Sequence, residues 1–161
     1  MPAGTERITT PEGRPEVRLL DARAAGLDER ALRERTRSIS AGMSAPYLTR
    51  SYRYPYALVA SHTGPVGIDI ERIEPCDPGF AQSICTPDET VQWEALQDPH
   101  AYYSSMWSSK EALAKALGDA VSYDPRRLQA PMLWPTGRAG AWQALQLPIA
   151  EGHIAWLCWR Q

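Results

Sequence analysis

The segment Val66–Glu71 restricts the fold more than any other part of this sequence, because it alternates apolar and acidic side chains. Side chains of a β-strand point alternately to its two faces, so Ile68 and Ile70 are predicted to enter a core. Asp69 and Glu71 then share the opposite face. Two neighbouring carboxylates repel each other unless water or a cation neutralises them. The segment therefore predicts either a half-buried strand with a solvated acidic face or a site for a hard divalent cation.

A second group of polar residues follows about forty positions later, in the segment Trp107–Lys115. Residues four apart lie on the same side of a helix, so Trp107, Glu111 and Lys115 would form one stripe. Glu followed four positions later by Lys is also an ordinary surface ion pair, which stabilises a helix by only about 0.2–0.5 kcal/mol. Taken alone, the stripe is compatible with a solvated helix face as well as with an active site.

The remaining sequence pattern predicts an α+β fold with antiparallel sheets, because strands, helices and strands follow one another in blocks. The predicted elements are helices at 28–39, 86–97 and 100–117, a hairpin of strands 56–60 and 66–71, and strands at 141–147 and 153–159. Residues 1–16 are polar and rich in Pro and Gly, and they are predicted to be a flexible tail. Residues 41–55 contain one Gly and two Pro residues and are predicted to form a loop.

Bulk properties exclude several classes of function. The chain has 161 residues and a net charge of −2, so it offers no strongly basic face for nucleic acid. It contains no apolar run long enough to span a membrane. The N-terminus lacks the apolar stretch of a signal peptide, so we expect a cytoplasmic protein. Three cysteines without a Cys-x-x-Cys pair predict neither a disulfide framework nor a zinc site.

Taken together, the two polar segments resemble the signature of the 4′-phosphopantetheinyl transferase superfamily. The matching motifs are Asp-x-Glu on a strand and Trp-x-x-Lys-Glu-x-x-x-Lys on a helix, and the likeness covers about residues 56–130. The resemblance implies the transferase fold of this family, in which antiparallel sheets pack with helices in two similar lobes. Because the Asp-x-Glu motif begins well inside the chain, the sequence resembles a surfactin-type member, with a first lobe that is shorter than usual. We expect one domain at 17–161, with the reduced lobe at 17–60 and the catalytic lobe at 61–161.

The resemblance also implies a reaction. Members of this family transfer the phosphopantetheine arm of coenzyme A to a serine of an acyl or peptidyl carrier protein and release 3′,5′-ADP. Asp69, Glu71 and Glu111 would hold Mg²⁺. Glu111, Lys115 and Asp69 are the expected catalytic residues, with Glu111 accepting the serine proton and Lys115 binding a phosphate oxygen. Lys110 is expected to contact coenzyme A.

The likeness departs from the surfactin type at the position where that type has Ser-His. Here Ser51 and Tyr52 occupy it, so Tyr52 would replace a histidine that contacts the 3′-phosphate of coenzyme A. The expected coenzyme A contacts are Ser51, Tyr52, Arg53, Lys110 and Lys115, and Arg50 or Arg53 would supply the missing charge. The departure leaves open a catalytically altered relative that binds coenzyme A or a carrier without transfer. Surface exposed by the trimmed lobe would favour a homo-oligomer.

Overall fold

Two antiparallel sheets of four strands each form the framework of the computed structural model, which describes residues 1–161. The first sheet has the order β1-β2-β4-β3, with β1 at Thr5–Ile8, β2 at Glu16–Asp21, β3 at Tyr47–Arg53 and β4 at Tyr56–His62. The second has the order β5-β8-β7-β6, with β5 at Val66–Arg72, β6 at Arg138–Ala139, β7 at Trp142–Gln146 and β8 at His153–Arg160. The predicted α+β class with antiparallel sheets is confirmed.

The helices are α1 (Ala22–Ala25), α2 (Glu29–Ala41), α3 (Pro78–Ile84) and α4 (Pro99–Leu117). The predicted start of α2 is confirmed, because the Asp28 carboxylate accepts a hydrogen bond from the Ala31 N–H at 2.8 Å. The predicted end of α4 is confirmed too, since Gly118 caps it with a positive φ of 79°. None of these helices combines the length and the apolar character needed to cross a bilayer.

The helix predicted at 86–97 is wrong. Only two short 3₁₀ turns, Pro87–Glu89 and Trp93–Ala95, occupy this segment. The Glu89 side chain does receive the Thr86 N–H, as a helix start requires, but it is buried and also accepts the N–H of Ala130 at 2.7 Å. These contacts hold the turn against the protein interior, and the chain does not continue as a helix.

The predicted hairpin of strands 56–60 and 66–71 is also wrong, since β4 and β5 belong to different sheets. β4 pairs with β2 and β3, whereas β5 pairs with β8. The apolar faces of the two strands meet instead, and Ile68 and Ile70 share a buried cluster with Leu58. Burial of these side chains removes apolar surface from water, so the two sheets are held together mainly by a shared core.

Two further predictions about the N-terminal part are corrected. Residues 1–16 are not a free tail, because β1 pairs with β2 and Ile8 lies in the shared core. The segment predicted as a loop at 41–55 contains β3, which pairs with β4 over its whole length. The expected lobe boundary at residue 60 falls inside β4, and the change of sheet occurs between His62 and Val66.

Close contact between α4 and β5 depends on Gly67. A Cβ atom at this position would lie 1.8 Å from the carbonyl oxygen of Ala112, a distance that no real side chain adopts. Glycine therefore lets the helix lie directly on the strand. On β5, Asp69 and Glu71 point to the same face as Gly67, so the helix carries its own polar residues close to both carboxylates.

Candidate active site

Asp69 lies at the centre of the candidate site and is only 4% exposed. Its Oδ1 accepts hydrogen bonds from Lys115 Nζ at 3.0 Å and from Ser51 Oγ at 3.2 Å. The same Lys115 ammonium also donates to the carbonyl oxygen of Ile68 at 3.0 Å. Asp69 Oδ2 is buried and has no partner within the protein. A buried oxygen without a partner is costly, so this atom is a candidate ligand for a bound cation.

Glu71 lies next to Asp69 and forms an ion pair with the guanidinium of Arg53. Its side chain is 15% exposed. Burial, followed by the negative charge of Asp69, raises the pKa of Glu71 to about 7, and this value already includes the opposing effect of Arg53. The carboxylate form of Glu71 is therefore short of positive charge even with Arg53 beside it.

The third carboxylate, Glu111, projects from α4 and accepts a hydrogen bond from Tyr123 Oη at 2.5 Å. Burial raises its pKa, the hydrogen bond from Tyr123 lowers it, and the charges of Asp69 and Lys115 act in opposite directions. The Tyr123 ring also stacks on Trp107, with 6.5 Å between ring centroids. The sequence did not single out Tyr123, because it follows the helix and no periodicity links it to Glu111.

Lys110 does not take the predicted role at the coenzyme A site. Its side chain is fully buried, and its Nζ donates to the Glu89 carboxylate and to the carbonyl oxygens of Ile84 and Pro125, at 2.6 and 2.8 Å respectively. An ammonium group has three protons to donate, and all three are used within the protein. The prediction that Lys110 contacts coenzyme A is therefore wrong for this structure, and Lys110 joins three segments of the chain instead.

The residues of β3 divide between its two faces. Ser51 is buried and holds the site together, since its Oγ donates to Asp69 and accepts the N–H of Ile70 at 3.1 Å. Tyr52 points to the opposite face, where Arg33 lies over its ring at 4.7 Å from the centroid. The structure thus brings Ser51 and Arg53 to the predicted metal ligands and leaves Tyr52 against α2.

The site has the donor atoms that a magnesium ion prefers, although no three acidic, His or Cys side chains form a ready-made metal cage. Asp69 Oδ2 is buried without a partner, and the raised pKa of Glu71 signals a deficit of positive charge. Mg²⁺ is usually held by one or two carboxylates, with water and substrate phosphates completing its six ligands. A site of this kind therefore fits Mg²⁺, and Asp69 and Glu71 are the side chains that could hold it, with Glu111 beside them.

A cleft of about 350 Å³ begins at Glu71 and runs along the segment after β5. Its lining includes Pro75, Cys76, Phe80 and Trp107. The rings of Phe80 and Trp107 meet edge to face at 6.2 Å. The cleft has room for a linear substrate that brings a charged group to the carboxylates and an apolar part to the aromatic wall.

Comparison with known proteins agrees with this arrangement. The profile of the 4′-phosphopantetheinyl transferase superfamily matches residues 65–149, which include all three carboxylates and Lys115. A 4′-phosphopantetheinyl transferase of Bacillus pumilus, psf-1, is 36% identical over 75 residues, which are 45% of this chain and 32% of that protein. The match thus spans about a third of the length of this relative. With more than half of its residues covered by the profile, the chain belongs to the 4′-phosphopantetheinyl transferase superfamily.

Proposed function

We propose that this chain transfers the 4′-phosphopantetheine arm of coenzyme A to a serine of an acyl or peptidyl carrier protein in a magnesium-dependent reaction. The observation that carries the proposal is the meeting of Asp69, Glu111 and Lys115 next to Glu71, which itself lines an open cleft. A chain with only a structural role has no need to bury an acidic pair and leave one of its oxygens without a partner.

The attacking group is the serine hydroxyl of the carrier. Its oxygen forms a bond to the β-phosphorus of coenzyme A, the bond to the leaving phosphate breaks, and 3′,5′-ADP departs. The serine proton passes to Glu111, whose pKa is raised by burial and is therefore closer to neutral pH than that of an ordinary glutamate. Tyr123 holds one oxygen of Glu111, which leaves the other free to accept the proton.

Charge at the pyrophosphate would be balanced from two sides. Lys115 is 23% exposed in its side chain and uses two of its three protons within the protein, so one remains for a phosphate oxygen. Asp69 and Glu71 would hold Mg²⁺, with Glu111 as a further ligand, and the bound ion supplies charge neutralisation to the pyrophosphate. Ser51 fixes the orientation of Asp69 for this task.

We further propose that the first sheet, residues 5–62, is a shortened form of the first lobe of the surfactin type. In this arrangement β3 lines the site, and Arg53 rather than Tyr52 is the β3 side chain placed to meet coenzyme A. The short lobe leaves part of the nucleotide exposed, and pairing of two copies would cover it.

The test is a transfer assay with coenzyme A, Mg²⁺ and a panel of apo-carrier proteins, followed by mass spectrometry of each carrier. We expect at least one carrier to gain the mass of the phosphopantetheine arm. Glu111→Gln should lower the rate at least about 100-fold, because a positioned general base typically contributes 10²–10⁴-fold. Glu94→Gln is the matched control, since Glu94 is exposed and lies in a 3₁₀ turn outside the site.

A second candidate is a relative that binds coenzyme A or a carrier without transferring the arm. Two observations favour it: Lys110 is closed off from the cleft, and Tyr52 faces α2. Calorimetry separates the two functions. Binding of coenzyme A by folded protein, together with no mass gain on any carrier, would contradict the transferase and support the binder.

A further inference from the structure

Two neighbouring strands from different sheets hold the predicted metal ligands in register. Ser51 and Arg53 lie two positions apart on one face of β3. They contact Asp69 and Glu71, respectively, which lie two positions apart on one face of β5. The two strands are not paired through their backbones. Hydroxyl groups of Thr49 and Ser51 accept the N–H groups of β5 instead, at 3.3 and 3.1 Å. Each carboxylate of the acidic pair therefore has its own partner on β3.

We infer that Arg53 is a built-in counter-ion that competes with the divalent cation for Glu71 and so lowers the affinity of the site for metal. The inference rests on the proposed function in one respect, that Glu71 is a ligand of the cation. It concerns metal occupancy before any substrate binds, and it does not depend on transfer taking place.

The surroundings of the two groups support competition. Glu71 is 15% exposed in its side chain, so water solvates its charge poorly, and Arg53 is its ion-pair partner. A guanidinium cannot lose its proton near neutral pH, so its charge remains in place. Because a cation coordinated by Glu71 and the guanidinium would repel each other at close range, metal binding requires Arg53 to move away.

Arg53 is free to make this movement. Its side chain is 44% exposed, and its ion pair with Glu71 is the sole hydrogen-bonded contact of its guanidinium. Solvent can therefore take up the charge at low cost when the pair opens. Asp69 differs, because its partners Lys115 and Ser51 both contact Oδ1 and leave Oδ2 open. Competition is thus confined to Glu71.

The experiment measures Mn²⁺ binding by electron paramagnetic resonance on metal-free protein without coenzyme A. Arg53→Gln keeps a polar side chain next to Glu71 but removes its charge, and we expect the dissociation constant for Mn²⁺ to fall about tenfold. Arg50→Gln is the matched control, because Arg50 lies on the other face of β3 and contacts Ser40 Oγ. Its dissociation constant should stay within about twofold of the parent. Circular dichroism confirms that each variant is folded.

A double-mutant cycle separates direct competition from a general loss of positive charge. In a Glu71→Gln background, Arg53→Gln should change the dissociation constant by less than about twofold. A tenfold change in that background would overturn the inference. Unchanged or weaker binding by Arg53→Gln would do the same, as would failure of both parent and variant to bind Mn²⁺. If no carrier is modified while the cycle behaves as expected, the proposed transfer fails and the counter-ion inference stands.

Discussion

Two lysines of α4 come from the same motif, five positions apart, yet their surroundings differ completely. Lys110 is fully buried, and all three of its protons are taken by Glu89 and by two backbone carbonyl groups. Lys115 is 23% exposed in its side chain and donates to Asp69 and to one carbonyl group. Because a site must offer a free donor to its substrate, Lys115 and not Lys110 is placed to serve the proposed transfer. Lys110 thus belongs to a closed ion pair inside the fold, whereas Lys115 lies at the candidate site.

The carboxylates of the two regions show the same division in their pKa values. Burial alone would raise the pKa of Glu89, but hydrogen bonds from Lys110 and from backbone N–H groups lower it. At the candidate site, burial raises the pKa of Glu71 and of Glu111, and their partners offset this only in part. A closed ion pair thus satisfies its charges internally, whereas the candidate site keeps a deficit of positive charge that a cation and a substrate can fill.

The largest expected effect concerns the closed pair. Lys110→Met leaves the Glu89 carboxylate buried without its cation, which should lower the free energy of unfolding by about 3–5 kcal/mol. Urea unfolding followed by circular dichroism measures the loss. The double variant Lys110→Met with Glu89→Leu should recover most of it, because it removes both buried charges. A loss below about 1 kcal/mol for the single variant would contradict the difference between the two lysines, since Lys110 would then behave as an exposed residue.

The lysine at the site should affect the rate more than the stability. Lys115→Met is expected to lower the free energy of unfolding by about 1–3 kcal/mol, because Lys115 is partly solvated although the Asp69 carboxylate that it leaves behind is buried. The rate of transfer to a carrier should fall about 100-fold, since a charged donor to the transferring phosphate is lost. Steady-state rates at saturating Mg²⁺ measure this effect. Retention of the parental rate would show that the open face of α4 does not serve the chemistry.

The free energy of unfolding should depend on pH through Glu71, whose raised pKa distinguishes it from Glu89. The pKa of Glu71 is about 7 in the folded protein against an ordinary value of 4.5, so the folded state binds more protons between these pH values. Stability should therefore fall as pH rises through this window, and the penalty is fully present above about pH 7. Relative to the parent, metal-free Glu71→Gln should gain about 2 kcal/mol between pH 5 and pH 8.

Urea unfolding of parent and variant at both pH values measures this difference, and titration of other groups cancels in the comparison. Mg²⁺ at pH 8 should stabilise the parent more than Glu71→Gln, because the variant has lost one ligand. A difference that does not change with pH would mean that Glu71 titrates as an ordinary glutamate, and the candidate site would then lack the deficit of positive charge that the raised pKa of Glu71 indicates.

Local rules were sufficient to predict several parts of this molecule. Alternation along a strand placed Ile68 and Ile70 in the core and Asp69 with Glu71 on the other face, as the structure has them. The four-residue repeat of a helix placed Glu111 and Lys115 on one side of α4. Such features depend on residues close together in the sequence, and the physics of a single strand or helix decides them.

Contacts between distant segments could not be predicted in the same way. The motif gave no sign that Lys110 is buried, because its partners Glu89 and Pro125 come from segments 21 and 15 residues away. Strand periodicity likewise does not name the partner strand, so β5 was assigned to a hairpin although it packs against the first sheet through its core. Tyr123 was missed for the same reason, since only the folded chain brings it to Glu111.

The smallest expected effect concerns this last contact. Tyr123→Phe removes the hydrogen bond to Glu111 but keeps the ring that stacks on Trp107, so the variant should fold normally. Without the bond the Glu111 carboxylate can rotate, and kcat should fall three- to tenfold, an effect of about 1 kcal/mol. KM for coenzyme A should stay within about twofold, because Tyr123 orients the base and does not bind the nucleotide.

Tyr47→Phe, at an exposed tyrosine of β3, is the control and should leave both constants unchanged. An equal fall of kcat in both variants, or a change in KM alone, would contradict the role of Tyr123 in orienting Glu111. A fall in kcat with an unchanged KM would instead show that the Glu111 carboxylate needs the neutral Tyr123 hydroxyl to hold it in place. The charged Lys110 ammonium holds the Glu89 carboxylate in the same way.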